Sequence, residues 1–334
     1  MRVLVIGGTR FVGRHVVEEL NRRGHQVTVF HRGAHEAAWE FPVAHLHGER
    51  RELAARTAGV AFDALIDMHA MNDRDSRWVV DAFRGRVAHS VHVSSMDVYR
   101  AWEAVQTGGP ATDAVPLGEE APLRPTLYLY RGKHPGMEQY DKILMERTVL
   151  GAGSGFPATV VRLPMVYGPH DGQRRERMFL RRILDGVPIV MGGGSAWLWH
   201  RVFAKEAARA IVLAAESDQA PGHVFNVGEP VVLTMYQWAE AIGRAAGIAA
   251  DIRLVPDAVL PKHLAFLSTQ QQHMVADTTK IRHLLGYAEE MAPDACMQAS
   301  VTWHLANPAD AGVDDPVAYQ AELRAEAAAL RGLT

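Results

Sequence analysis

This chain of 334 residues has one cysteine, Cys296. An internal disulfide framework is therefore excluded, and the composition suits a reducing compartment. No apolar run approaches the roughly 20 residues that a membrane-spanning helix needs. An excess of one charge sign is missing too: 35 Lys and Arg face 38 Asp and Glu, for a formal net charge of -3. That balance creates no field to draw in nucleic acid or an anionic membrane surface. Cysteine pairs that would help the 17 histidines hold a metal are absent. His45 and His47 would share one strand face and His89 and His92 flank another strand. Neither pair has a third ligand at a usual spacing, so no structural metal is expected. Internal repeats and low-complexity tracts are also lacking. The first residues enter a core strand directly, and the expectation is a cytoplasmic protein without a signal peptide.

What is present starts at residue 3. Val3-Leu4-Val5-Ile6 is a short β-branched run that stops at Gly7-Gly8, and Phe11 opens an amphipathic stretch (Val12, Val16, Val17, Leu20) that ends before Gly24. The pattern is strand, tight turn, helix, with Gly24 as the helix stop. Gly7 permits the sharp turn, Gly13 lets the helix pack closely on the strand, and the first-turn amides would face a pyrophosphate. Arg10 stands where the G-x-x-G-x-x-G pattern has its middle glycine. A second apolar strand, Gln26 to His31, follows where a βαβ unit needs it. Gly7, Thr9, Arg10, Phe11, Val12 and Gly13 thus form the turn of a dinucleotide site. After the second strand, His31-Arg32-Gly33 lacks the acid that commonly holds a ribose 2′-hydroxyl, and Arg32 with Arg10 would suit a 2′-phosphate. NADP is favoured over NAD on this ground. Glu49, after the third strand, is placed to accept from the adenine amino group.

Further apolar runs lie at Val43 to His47, Asp63 to Met68, His89 to Ser94, Ala158 to Leu163 and His223 to Val227. Helical patterns or loops separate most of them, which predicts an α/β fold with a doubly wound parallel sheet of Rossmann type. Met68 and His69 would then sit at the carboxyl end of the sheet, where ligands bind in such folds. The segment from about Arg100 to Pro135 is rich in Gly and Pro and reads as a long, functional loop, followed by a helix over Met137 to Leu150. The expected division is a nucleotide-binding core of residues 1–165 plus about 200–227, and a substrate lobe of about 166–199 and 228–310. A helical tail of 311–334 would contain a helix over Asp315 to Leu330.

Together these pieces resemble an extended short-chain dehydrogenase/reductase of the NAD-dependent epimerase/dehydratase family. Gly7 to Gly13 resembles its nucleotide turn, and Val93-Ser94-Ser95-Met96-Asp97-Val98-Tyr99 its S-S-x-x-V-Y strand end. Arg162-Leu163-Pro164-Met165-Val166-Tyr167-Gly168-Pro169 matches R-x-P-x-V-Y-G-P, and His223 to Gly228 matches the late V-Y-N-V-G strand. The resemblance covers residues 2 to about 310. It implies a lobe that holds a sugar or sugar-nucleotide, hydride transfer at a carbinol carbon, and a homodimer built on the helix of residues 137–150. It also implies cofactor contacts from His31, Met68, His69, Lys142, Pro164 and Val166, with Ser95 donating to the reacting oxygen. Asp97 and Met165 would meet substrate, and Arg174 and Arg201 would suit a phosphorylated or nucleotide-linked one.

The family's Tyr-x-x-x-Lys pair, in which the ammonium lowers the phenol pKa, is where this chain departs. Glu146 sets a register in which Lys142 matches the catalytic lysine, and Glu138 then occupies the tyrosine position. Tyr140 is two residues from Lys142 and on a regular helix would point about 200° away; only an irregular first turn would unite them. Tyr128 or Tyr130 from the preceding loop, or Glu138 itself, are the other candidate bases. A dehydration or epimerisation would need a second base, for which Lys142, Glu138, His69 and Asp97 are candidates. The reading is an NAD(P)-dependent oxidoreductase of the epimerase/dehydratase type, acting on a hydroxyl of a sugar, nucleotide sugar or nucleoside. The competing reading is a catalytically degenerate, RNA-associated scaffold, since the Gly-Gly-Thr-Arg-Phe turn is also similar to that of chloroplast stem-loop-binding proteins. The near-neutral charge weighs against it.

Overall fold

The computed structural model describes residues 1–308 and 315–332. Seven parallel strands make the central sheet: β1 (Arg2–Ile6), β2 (Gln26–His31), β3 (Ala44–His47), β4 (Ala64–Asp67), β5 (His89–Ser95), β6 (Ala158–Leu163) and, later in the chain, Val224–Asn226. Between β6 and that last strand the chain forms β7 (Met165–Tyr167), β8 (Ile189–Gly192) and β9 (Arg201–Phe203), so Val224–Asn226 is β10; β11 (Ile252–Val255) follows. The sheet order is β10-β6-β5-β4-β1-β2-β3. Chain order reverses at β1, so the crevice at the carboxyl ends of β1 and β4 is the topological switch point where this architecture binds ligands.

The strand Ala158–Leu163 is buried at every position, as strands covered on both faces must be. The helices in chain order are α1 (Phe11–Arg22), α2 (Leu53–Arg56), α3 (Asp73–Phe83), α4 (Arg100–Thr107), α5 (Lys142–Leu150), α6 (Arg177–Leu184), α7 (Ala204–Glu216), α8 (Met235–Ala246), α9 (Thr279–Leu285), α10 (Pro293–Ala306) and α11 (Pro316–Arg331). One face of the sheet packs on α1 and α7 through Val16, Leu20, Ala208 and Ile211. The other packs on α3 and α5 through Val79, Phe83, Met145 and Val149. Among the described residues no helix is long and apolar enough to cross a membrane.

Pro164 separates β6 from β7. β7 leaves the central sheet and pairs with β9, while β8 pairs with β11. Around these strands a second apolar core forms on Phe179, Ile183, Trp238, Ile242 and Met297, and it meets the first fold unit at Met96, Tyr99 and Ile143. Buried polar bonds lock the junction. The Tyr99 hydroxyl donates to Asn226 Oδ1 (2.7 Å), Arg162 donates to the Tyr99 hydroxyl (3.0 Å) and to both Glu146 oxygens (2.7 and 2.9 Å), and Ser94 donates to Glu146 (2.6 Å).

Two expected elements differ. The helix predicted over Met137 to Leu150 starts at Lys142, because Asp141 caps it: Asp141 Oδ1 accepts from the amides of Ile143 (3.0 Å) and Leu144 (3.2 Å). The predicted loop from Arg100 opens with α4, whose Ala101 and Ala104 are buried and which stops at Gly108 in the left-handed region. The tail helix is present as α11; residues 311–314 and 333–334, where that segment was expected to begin and end, lie outside the described residues.

Candidate active site

The turn after β1 is built by the absence of side chains. Gly7 has φ +84°, and a Cβ there would stand 3.1 Å from that of His69. A Cβ on Gly13 would lie 2.6 Å from the Gly7 carbonyl oxygen, a backbone atom that cannot step aside. Phe11 adopts φ +40° in the same turn. Arg10 precedes α1 without a side-chain bond into it, and no acid lies in the first turn. The leading amides and the positive end of the helix are thereby left for an anion, which fits a dinucleotide pyrophosphate. Thr9 and Val12 are buried beneath the turn.

Across Gly7, Asp67 ends β4 fully buried. Arg50 grips it with two hydrogen bonds (2.6 and 2.9 Å), and the His69 amide donates to it at 3.1 Å. Burial pushes this carboxyl up, but the Arg50 guanidinium outweighs burial and holds it down at about 2. The pair thus fixes Met68 and His69 beside the turn. At the end of β2, His31 Nε2 meets His45 Nδ1 at 2.8 Å and the Gly33 amide donates to His31 Nδ1 at 3.2 Å. Arg10, Arg32 and Glu49 are exposed, and the Glu49 amide is held by Glu52 (2.9 Å).

At the carboxyl end of β5 a tight hydroxyl–carboxylate cluster forms. Asp97 is buried, and its Oδ2 accepts from Tyr140 (2.7 Å) and Tyr130 (3.2 Å). Its Oδ1 is buried with no partner among the described residues. Trp102 Nε1 donates to the Tyr130 hydroxyl (2.7 Å). Ser95 accepts from the Asp97 amide (3.1 Å) and lies close enough to the Tyr140 phenol to oppose the rise of its pKa. Lys142 Nζ donates to the carbonyls of Ala70 (2.7 Å) and Val93 (2.9 Å) and stands 5.9 Å from the Tyr140 ring centre. Burial pushes Asp97 up, against the hydrogen bonds from both tyrosines and the charges of Arg124 and Lys142. Burial and then the Asp97 charge raise the Tyr140 phenol well above its usual range. Burial lowers Lys142, opposed by Asp67 and Asp97.

Because α5 starts at Lys142, Tyr140 belongs to the turn before it, and the 200° separation of a regular helix does not apply. Glu138 is a correction: it lies outside the helix, exposed, with its backbone carbonyl bonded to Arg131 (3.1 Å), so no Glu138–Lys142 helix pair forms. Tyr128, at φ +53°, points to Arg131, whose guanidinium carbon is 4.0 Å from its ring centre. Arg124 was not anticipated. It is buried and donates to the Asp97 carbonyl (3.0 Å) and to Asp141 (3.2 Å), which anchors the loop that carries Tyr130. A lone arginine among prolines carries no periodicity that would mark it.

Beside this cluster, with Trp102 as a shared wall, lies a cavity of about 710 Å³. Trp197, Trp199, Trp238, Met165 and Arg174 also line it. Trp197 and Trp199 are stacked, 5.2 Å apart at 20°. The Arg174 guanidinium donates to the Asn307 carbonyl (2.6 Å). Arg201 is a second correction: it does not line the cavity. It is buried behind it, donating to the carbonyls of Trp199 and Leu233 (both 2.9 Å), with its guanidinium carbon 4.3 Å from the Trp238 ring centre. A buried guanidinium needs acceptors; these carbonyls supply Nη1, while Nε has no partner among the described residues. Pro164 and Val166 lie at the β6–β7 break that leads to this wall.

Comparison with known proteins agrees with this arrangement. Residues 3–228 match the NAD dependent epimerase/dehydratase family. The chain is 30% identical over 304 residues to 2'-dehydrokanamycin reductase of Streptomyces kanamyceticus, which covers 88% of this chain and 79% of that protein. It is 24% identical over 312 residues to the chloroplast stem-loop binding protein of 41 kDa b of Arabidopsis thaliana, covering 86% and 75%. In fold it is similar to the Thermus thermophilus UDP-glucose 4-epimerase solved with NAD, with a TM-score of 0.68 and 20% identity over 92% of this chain and all of that one.

Proposed function

We propose, from the premise that this chain belongs to the NAD dependent epimerase/dehydratase family, that it is an oxidoreductase working at a hydroxyl, or the matching carbonyl, of a sugar, nucleotide sugar or nucleoside. The observation that carries the proposal is Asp97: a buried carboxylate with one oxygen bound to Tyr140 and the other without a partner. An unfilled buried acceptor beside the Tyr140 phenol leaves Asp97 able to take a proton from it.

Gly7 to Gly13 would hold the pyrophosphate, Met68 and His69 the middle of the cofactor, and Lys142 the nicotinamide ribose. Arg10 and Arg32 favour a 2′-phosphate, hence NADP. The bound nicotinamide supplies or accepts the hydride. The chain's own part is the proton. In the oxidative direction the substrate hydroxyl gives its proton to Tyr140 Oη while Tyr140 passes its own to Asp97 Oδ2, so no free phenolate forms. Reduction runs the same path backwards and ends with the proton on the substrate oxygen. The raised phenol pKa is no obstacle to such a relay, because Asp97 is the final acceptor. Ser95 donates to the reacting oxygen, and Lys142 supplies positive charge as negative charge builds. The tryptophan wall gives a sugar C–H face or a nucleobase a surface to stack on. The likeness to a stem-loop binding protein brings no net positive charge with it, and phosphate-backbone binding draws on such charge.

The test is turnover of NADPH and NADH with a panel of keto-sugars and oxidised nucleosides, in the wild type and in Tyr140→Phe. Loss of this proton path should lower kcat/KM by about 10²–10⁴-fold, with the dissociation constant of NADPH little changed. Undiminished turnover in Tyr140→Phe would remove Tyr140 from the chemistry. A salt-dependent shift of structured RNA, with neither pyridine nucleotide bound, would replace the enzyme reading altogether.

A further inference from the structure

β2 and β3 run parallel with His31 in register with His47. His45, two residues earlier, shares the face of His47 because strand side chains alternate. The loop after β2 returns Glu36 to the same place. One donor atom from each of His31, Glu36, His45 and His47 lies within 4.8 Å of all the others. His31 Nε2 and His45 Nδ1 are 2.8 Å apart, and His47 Nε2 and Glu36 Oε1 are 3.0 Å apart. The missing third ligand that argued against a metal is thus supplied by the neighbouring strand, and a fourth by a loop.

We propose that these four residues bind a divalent first-row transition metal, with Zn²⁺ the cation the donor set suits best. Tetrahedral Zn²⁺ with bonds of ~2.0–2.1 Å holds its donors about 3.4 Å apart, so small side-chain shifts close the site. Three neutral imidazoles and one carboxylate make a nitrogen-rich donor set of net charge minus one. Mg²⁺ and Ca²⁺ prefer all-oxygen sets. His47 and Glu36 are half-exposed (50% and 61%) and provide the entry path, while buried His31 is the fixed end. Binding through His31 Nε2 removes the hydrogen bond between His31 and His45. The His31 proton must then sit on Nδ1, which turns the Gly33 amide away. Structurally, the metal ties β3, a four-residue edge strand, to β2 and to the loop between them. The other histidine–carboxylate group, His263 with Glu322 and Glu326, is a poorer site because both carboxylates are already held by buried Arg182.

The experiment is a calorimetric titration of metal-stripped, tag-free, full-length protein with Zn²⁺, and a visible spectrum with Co²⁺. One equivalent should bind, with the intense absorption of tetrahedral Co²⁺ and a higher melting temperature. His47→Ala and Glu36→Ala, both at half-exposed positions, should each weaken binding by at least about tenfold, whereas His263→Ala should leave it intact. The proposal is overturned if neither metal binds, if Co²⁺ gives only the pale octahedral spectrum, or if His263→Ala abolishes binding while His47→Ala does not. None of these readouts uses the cofactor or the catalytic activity, so failure here leaves the proposed reaction standing.

Discussion

Asp67 shows how a single carboxylate positions the chain beside the Gly7 turn. It is fully buried, and its stability contribution comes from being charged beside Arg50. Its carboxyl is held at about 2 in the folded chain against an ordinary 3.8. A depressed folded value means the contribution is complete above pH 3.8 and is lost as the pH falls toward 2, amounting to about 2 kcal/mol. Asp67→Asn removes the charge and leaves Arg50 buried without its counter-ion, a change that costs about 3–5 kcal/mol. Urea unfolding at pH 7 should show that loss. The variant's stability should also fall less steeply between pH 4 and 2 than the wild type's; an identical acid limb would mean that Asp67 titrates normally. At this scale the sequence marks Ser95 and Lys142 by motif position, and Lys142 stands 5.9 Å from the Tyr140 ring centre; Tyr140 itself is illegible under a helix that starts at Met137. Asp141 was the missed signal. An Asp just ahead of an apolar run is a common helix start, and reading it so places Tyr140 outside the regular helix and free to face Asp97.

Among the elements, the β1–turn–α1 unit was the most readable because each glycine there answers a local steric demand. Gly13→Ala tests it. The new Cβ would fall 2.6 Å from the Gly7 carbonyl oxygen and 3.0 Å from Gly8 Cα, both backbone atoms, so α1 must move away from β1. The expected cost is about 1–3 kcal/mol of stability, together with loss of the rise in melting temperature that the proposed NADPH binding would give. A variant that still gains the full rise would show that the pyrophosphate does not sit on this turn. The motif residues Tyr99, Asn226, Arg162 and Glu146 have a different lesson. They resembled a functional signature, and the structure uses them as a buried hydrogen-bonded lattice that joins β6, β10 and α5 to the turn after β5. Motif resemblance located them correctly but could not say which motif residues touch a ligand. The three-residue strands β7 and β9 escaped detection for a physical reason: so short a pairing is dictated by distant partners and has no period of its own.

The molecule as a whole rests on three large apolar clusters, one on each face of the central sheet and a third in the lobe that carries the tryptophan cavity. Among the described residues α11 packs on the lobe through Leu330. Glu326 and Glu322 of α11 accept from Arg182 of α6 (both 3.0 Å), His263 bonds Glu326 at 2.8 Å, and the Tyr319 hydroxyl donates to Asp185 at 2.8 Å. With α11 in place the Arg182 side chain is only 2% exposed, so removing α11 takes away both of its carboxylate partners and uncovers the lobe surface on which Leu330 packs. A chain ending at residue 314 should therefore lose stability in the cavity lobe while the nucleotide-binding sheet keeps its own core. Scanning calorimetry should resolve two transitions for the truncated chain and one for the full chain. NADPH at 100 times its dissociation constant stabilises whatever binds it by about 2.7 kcal/mol. If the sheet unit binds it alone, NADPH should raise only the upper transition. A single transition that NADPH raises as a whole would instead mean that Met96, Tyr99 and Ile143 couple the cores so tightly that neither lobe melts before the other.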